Sequence, residues 1–150
     1  MIDLWLEAIR SSWCRMTAYP PDADRWHSGR PSIGQCAVTA LVVQDYLGGE
    51  IVRGIVEGYG SHYWNRLALG EEIDLTRGQY SGEPIRDITV VDRRSFFTPG
   101  ATQLRSRTRE RYLALSRMVS EWLLTRHLCD QGCSGKPARP HSHSGPSEKK

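Results

Sequence analysis

The chain has 150 residues, 39% of them hydrophobic, and a formal net charge of +3. That is the size of one ordinary domain with a real core, and the charge is too small to propose nucleic acid as a partner. The longest uncharged apolar run falls well short of the roughly 20 residues a membrane-spanning helix needs, and Asp3 and Glu7 stand where a signal peptide would carry lysines.

Cys14, Cys36, Cys129 and Cys133 are too unevenly spread for a secreted disulfide scaffold, so a soluble, cytoplasmic protein without membrane partners is expected. From the N-terminus, Ile2, Trp5, Leu6, Ile9 and Trp13 recur at helical spacing, with Asp3, Glu7 and Arg10 between them. Residues 2–16 therefore predict an amphipathic helix, with Cys14 near its end as a buried structural residue. The segment TAYPPDADRWHSGRPSIGQ reads as an extended loop, in which Trp26 and His27 stand out. Trp26 is expected to plug the core edge, with a lid over a site as the alternative.

The next stretch, PSIGQCAVTALVVQDYL (31–47), organises the rest. From Cys36 to Leu47 only Thr39, Gln44 and Asp45 are plainly polar, so apolar residues fall on every face, and a helix of this kind must be surrounded by protein. Gly48 and Gly49 end it. Cys36 sits in or just before its first turn, where unpaired N–H groups and the helix dipole favour a thiolate. The plain alternative is a small buried hydrophobe.

Three short segments of β character follow, EIVRGIVEGY, HYWNRLALG and EEIDLT, joined by short glycine-bearing junctions that predict an antiparallel meander. In the second strand His62, Trp64, Arg66 and Ala68 share one face, and Tyr63, Asn65, Leu67 and Leu69 the other. TRGQYSGEP is a turn-rich connection and DITVVDRRSFF is ambiguous. A long helix is expected within residues 98–128, with Leu104, Tyr112, Leu115, Val119, Trp122 and Leu123 at approximate helical spacing. The arginine run RSRTRER in it reads as the wet side of the helix. Residues 1–128 are thus one globular domain, and residues 129–150, rich in Gly, Pro, Ser and Lys, are expected to be a disordered tail. Its Cys129, Cys133, His141 and His143 lack the folded context of a structural zinc site, so no metal and no cofactor are expected.

One constellation carries chemistry: Cys36 at a helix start, His62 opening a strand, and Asp74 on the next strand. Thiol attack needs a base within hydrogen-bond reach and a third group to fix the imidazole tautomer. Each residue alone has a structural explanation, and the register that would bring His62 opposite Asp74 is not fixed by the sequence.

The runs PSIGQCAVTALVVQDYLGGEI, SHYWNRL and EIDLTRGQY resemble the small bacterial YunG-like proteins. More broadly, the layout is similar to papain-like cysteine enzymes of the transglutaminase, NlpC/P60 and arylamine acetyltransferase type. The resemblance covers about residues 26–80. It implies an α+β, papain-like fold, a buried Cys-bearing helix packed on a small antiparallel sheet with flanking N- and C-terminal helices.

It also implies Cys36 as nucleophile, His62 as general base and acid, and Asp74 as orienter in an amide or thioester hydrolase or transferase acting on a small-molecule or peptide substrate. A papain-like oxyanion-hole glutamine usually lies several residues before the cysteine, whereas Gln35 is adjacent to it. The Cys36 N–H is one oxyanion donor, and Asn65 and Gln79 are candidates for the second. Trp26, Tyr63 and Trp64 are candidates for the cleft wall, of which at most one of Tyr63 and Trp64 can serve if the strand is regular. The alternative function is a non-catalytic ligand- or peptide-binding protein on the same frame.

Overall fold

In the computed structural model, residues 1–132 are described, with side chains to His127. The element order is α1 (Ile2–Ser12), α2 (Cys36–Leu47), β1 (Glu50–Val56), β2 (Gly60–Arg66), β3 (Glu72–Ile73), β4 (Ile85–Val91), α3 (Ala101–Ser106) and α4 (Thr108–Gly132). The architecture is α+β: one four-stranded antiparallel sheet in the order β3-β2-β1-β4, with helices packed on it. No helix among the described residues is long and apolar enough to cross a membrane.

α2 is the central element, as its composition predicts. Val38 to Val43 are buried without interruption, which requires neighbours on all sides. β2 and the two helices α1 and α4 supply them. Gly48, at φ 70°, closes the helix and donates its N–H to the Gln44 carbonyl. α1 lays its apolar stripe against α2: Ala8 and Ile9 are buried, Trp5 stacks on Tyr46 with ring centroids 4.1 Å apart, and Trp13 Nε1 donates to Thr39 Oγ1 at 2.9 Å. It ends at Ser12, earlier than expected. The segment that follows is not simply extended but carries 3₁₀ turns at Arg15–Thr17 and Pro20–Arg25. Cys14 is half-buried rather than in the core, its sulfur 3.8 Å from Thr17 Oγ1.

The meander of β1, β2 and β3 forms as the glycine junctions predict, except that β3 is only Glu72–Ile73, so Asp74 follows the strand rather than lying on it; β2 is tied to α2 by Asn65 Nδ2, which donates to the Ala40 carbonyl at 2.9 Å. The ambiguous segment DITVVDRRSFF supplies most of β4 and the 3₁₀ turn Arg93–Phe97. β4 pairs with β1 through a bulge: Arg53 faces Thr89 and Ile55 faces Arg86, so Asp87 and Ile88 both stand opposite Gly54. Asp87 absorbs the irregularity at φ 54°.

The expected C-terminal helix is two helices. Arg107 takes the left-handed conformation, φ 49°, and separates α3 from α4. Leu115 and Val119 are buried as expected, but Leu104 is 81% exposed because the break turns α3 off the core. α4 continues to Gly132, four residues into the stretch expected to be tail. The rest of that expectation, with Cys133, His141 and His143, lies outside the described residues.

Gly54 has a packing reason to be glycine. A Cβ there would collide with Ile85 Cγ2 and lie 3.1 Å from the Trp64 ring. Gly54→Ala should therefore lower the unfolding free energy by roughly 1–3 kcal/mol. Urea unfolding checks this, and an unchanged midpoint would show that β4 can move aside.

Candidate active site

The site assembles where α2 begins, where β2 begins and where the chain leaves β3. Cys36 is the first residue of α2, so its backbone N–H is one of the helix's orphan donors. The preceding peptide is held on both sides. Gly34, at φ 70°, donates its N–H to Gln79 Oε1 at 3.3 Å, and its carbonyl accepts from the Tyr19 N–H at 2.8 Å and from Arg111 Nη2 at 3.0 Å. A Cβ at Gly34 would lie 2.8 Å from the Tyr19 backbone nitrogen, so no larger residue fits without displacement.

His62 is completely buried. A ring so placed requires polar partners, because an unpaired buried polar group is costly. Its Nε2 lies 2.7 Å from Asp74 Oδ2, and since a carboxylate only accepts, Nε2 carries a proton. Asp74 is fixed in turn: its Oδ1 accepts from the Thr76 N–H at 3.2 Å and from Thr76 Oγ1 at 3.4 Å. The second ring nitrogen, Nδ1, is 3.4 Å from the Tyr80 hydroxyl, and Tyr80 stands edge-on to the imidazole with centroids 4.9 Å apart.

Electrostatics set the protonation of this ring. Burial opposes the charged form and pulls the His62 pKa down. The hydrogen bond to Asp74 and the proximity of the Asp74 carboxylate and the Cys36 sulfur outweigh it and raise the value from 6.5 to about 9. The ring is therefore an imidazolium at neutral pH. Burial also pushes the Tyr80 hydroxyl well above its ordinary range, with the charges of Cys36 and Asp74 acting in the same sense, so it stays protonated.

Beside these groups lies a cavity of about 660 Å³, whose walls include Cys36, Tyr63, Gln79, Tyr80 and Arg111. Several residues expected at the site point elsewhere. Gln35 is fully buried with its Nε2 given to the Cys14 carbonyl at 3.0 Å, so it anchors the loop. Asn65 is spent on Ala40, as described above. Trp26, half-buried, donates Nε1 to the Pro31 carbonyl at 2.9 Å and stays off the cavity wall. Trp64 is buried over Gly54 and His62, on the strand face away from Tyr63, and it is Tyr63 that reaches the cavity. Gln79 does line the cavity, and its Nε2 is a buried donor without a partner among the described residues.

Sequence reasoning missed two residues. Tyr80 lies inside the run EIDLTRGQY but carries no signal separating it from a turn aromatic. Arg111, the last residue of RSRTRER, is 4% exposed and not on the wet side of its helix. A signal was present: Thr108, Arg111, Leu115 and Val119 form one buried stripe at helical spacing, with Arg111 one turn before Leu115. Among the described residues no cluster of His, Cys, Asp and Glu has the arrangement of a metal site.

A buried cysteine-bearing helix packed on a small antiparallel sheet, with buried His62 paired to Asp74 behind Tyr80, places the chain in the α+β class. The family model described as YunG protein matches residues 2–124, and the chain belongs to that family. It is 36% identical over 72 residues to the uncharacterized protein YunG of Bacillus subtilis (strain 168), a match covering 48% of this chain and 56% of that relative. The match thus spans little more than half of the relative's length. No solved structure matches the chain at a significant level.

The raised His62 pKa makes stability depend on pH with a definite sign. The native state holds the proton more tightly than the unfolded chain, so the stabilisation is complete below about pH 6.5 and is lost as pH rises through about 9. On the order of 3 kcal/mol should disappear over that interval, measured as unfolding free energy in urea. The fall should shrink in Asp74→Asn, and an equal fall in the variant would show that the pair does not hold the proton.

Proposed function

We propose that the protein is a cysteine-dependent acyl-transfer enzyme on a papain-like frame, acting at an amide or thioester, with Cys36, His62 and Asp74 as its triad. The observation that carries this reading is the orientation of His62. Asp74 takes Nε2, and the cysteine that perturbs the ring opens the helix beside the cavity. An interior histidine serving only the core would need no nucleophile next to it.

In this reaction the Cys36 thiolate attacks the substrate carbonyl carbon, forming the C–S bond while the carbonyl π electrons move to oxygen. The Cys36 N–H and Gln79 Nε2 donate to that oxygen. His62 Nδ1–H protonates the leaving amine or thiol as its bond to carbon breaks. Water or an amine then gives a proton back to Nδ1, attacks the thioester, and releases the acyl group and the thiolate. The proton on Nδ1 is the one the Cys36 thiol gives up to His62, which then acts as acid toward the leaving group and as base in the second half. Such chemistry suits a reducing, cytoplasmic setting, where Cys36 stays a free thiol.

The rival reading is a non-catalytic ligand- or peptide-binding protein. One observation favours it: the Tyr80 hydroxyl stands 3.4 Å from Nδ1, the nitrogen the reaction needs, over a ring that is fully buried.

Purified protein incubated with a panel of chromogenic amides and thioesters separates the two. The enzyme reading predicts turnover of at least one substrate, falling by roughly three orders of magnitude or more in Cys36→Ala. Absence of turnover across the panel, or turnover unchanged in Cys36→Ala, contradicts it.

A further inference from the structure

Arg111 has hydrogen-bonding capacity that the fold leaves unused, and its guanidinium, 5.9 Å over the Tyr19 ring, has no direct ion-pair partner among the described residues. Its three hydrogen bonds go to backbone carbonyls: Nε to Thr17 at 3.0 Å, Nη1 to Ser106 at 3.0 Å and Nη2 to Gly34 at 3.0 Å. A guanidinium carries five N–H donors, so two remain, and among the described residues no carboxylate forms an ion pair with it. Carbonyl dipoles satisfy geometry but do not neutralise charge; Cys36, Tyr19 and Asp22 favour the charged form without pairing directly with it, and a buried cation lacking a direct ion-pair partner is costly.

The surroundings accentuate this. Arg25 and Arg105 line the same cavity, and the one carboxylate on its wall, Asp22, is engaged by Arg25 Nη1 at 3.3 Å. Burial pulls the Arg111 pKa down to about 10, which still leaves the group charged at neutral pH. The cavity therefore presents a buried positive site beside Cys36, with Gln79 also on its wall.

We infer that the molecule entering this cavity carries an anionic oxygen group, a carboxylate or a phosphate, and that Arg111 binds it through its two remaining N–H groups. The planar fork matches either group. The inference deepens the acyl-transfer reading by naming the charge its substrate bears. It also explains why a guanidinium occupies a stripe position where an apolar residue would seal α4 against the loops.

The test is binding rather than turnover, so that it stands apart from the catalytic reading. Calorimetric titration of the Cys36→Ala protein would use three probes: glutaric acid monoanilide, which ends in a carboxylate, its methyl ester, and phenyl phosphate. One charge-assisted hydrogen-bonded contact corresponds to roughly tenfold or more in affinity. At least one anionic probe should therefore bind about tenfold tighter than the ester, the stronger one showing which oxygen group the site takes. Arg111→Met in the same background should abolish that preference, the anionic probes then binding no tighter than the ester.

Arg111→Lys keeps the charge without the fork and should retain only part of the preference; it also serves if Arg111→Met fails to fold. Equal binding of all three probes by Cys36→Ala overturns the inference, as does a preference that survives Arg111→Met. Catalysis could fail in the substrate panel while this preference holds, and the reverse, so the two ideas fall separately.

Discussion

The contact between His62 Nε2 and Asp74 Oδ2, at 2.7 Å, is the interaction on which the arrangement of this protein turns. An imidazole removed entirely from water has to find its partners within the protein, and here they come from three separate parts of the chain. Asp74 is delivered just past β3, Cys36 by the start of α2, and Tyr80 by the connection to β4. The hydrogen bond to Thr76 turns the segment after β3 so that Asp74 faces β2. A sheet of only two paired positions between β2 and β3 is enough to place it, because the side-chain network finishes what the ladder begins.

The other half of the site is organised around one peptide rather than one side chain. Gly34 is gripped through its N–H by Gln79 and through its carbonyl by Tyr19 and Arg111. Arg111 also reaches Thr17 and Ser106, so a single buried guanidinium joins the loop after α1, the entrance to α2 and the end of α3. Cys36 follows two residues later and inherits that rigidity. In the proposed reaction, a thiol held this way would lose little freedom on reaching a carbonyl.

Much of this was legible in the sequence, for reasons that differ from element to element. α2 was readable because a run from Val38 to Val43 with no polar face has only one stable environment. The meander was readable because Tyr59-Gly60 and Leu69-Gly70 punctuate alternating runs. β4 was not: Ile88 and Val90, its most strand-like residues, are 54% and 53% exposed, and a bulge at Asp87 interrupts the alternation. The break at Arg107 was invisible because it rests on a left-handed residue that is not glycine. In the site, the order Cys36, His62, Asp74 was readable as chemistry, whereas the cross-strand register uniting His62 with Asp74 was not. Gln35 and Asn65 misled because a buried amide serves backbone carbonyls as readily as a substrate. Arg111 was read by its charge when its spacing to Leu115 placed it inward.

The central claim is that Cys36, His62 and Asp74 act as one unit. Its most direct test is the rate of iodoacetamide labelling at each cysteine, resolved by peptide mapping, from about pH 5 to about pH 9. The account predicts that Cys36 reacts faster than Cys14 at neutral pH. His62→Ala and Asp74→Asn should slow Cys36 while leaving Cys14 unchanged. Equal, slow labelling of the two thiols in the wild-type protein, indifferent to both substitutions, would make Cys36 an ordinary core cysteine and contradict the account.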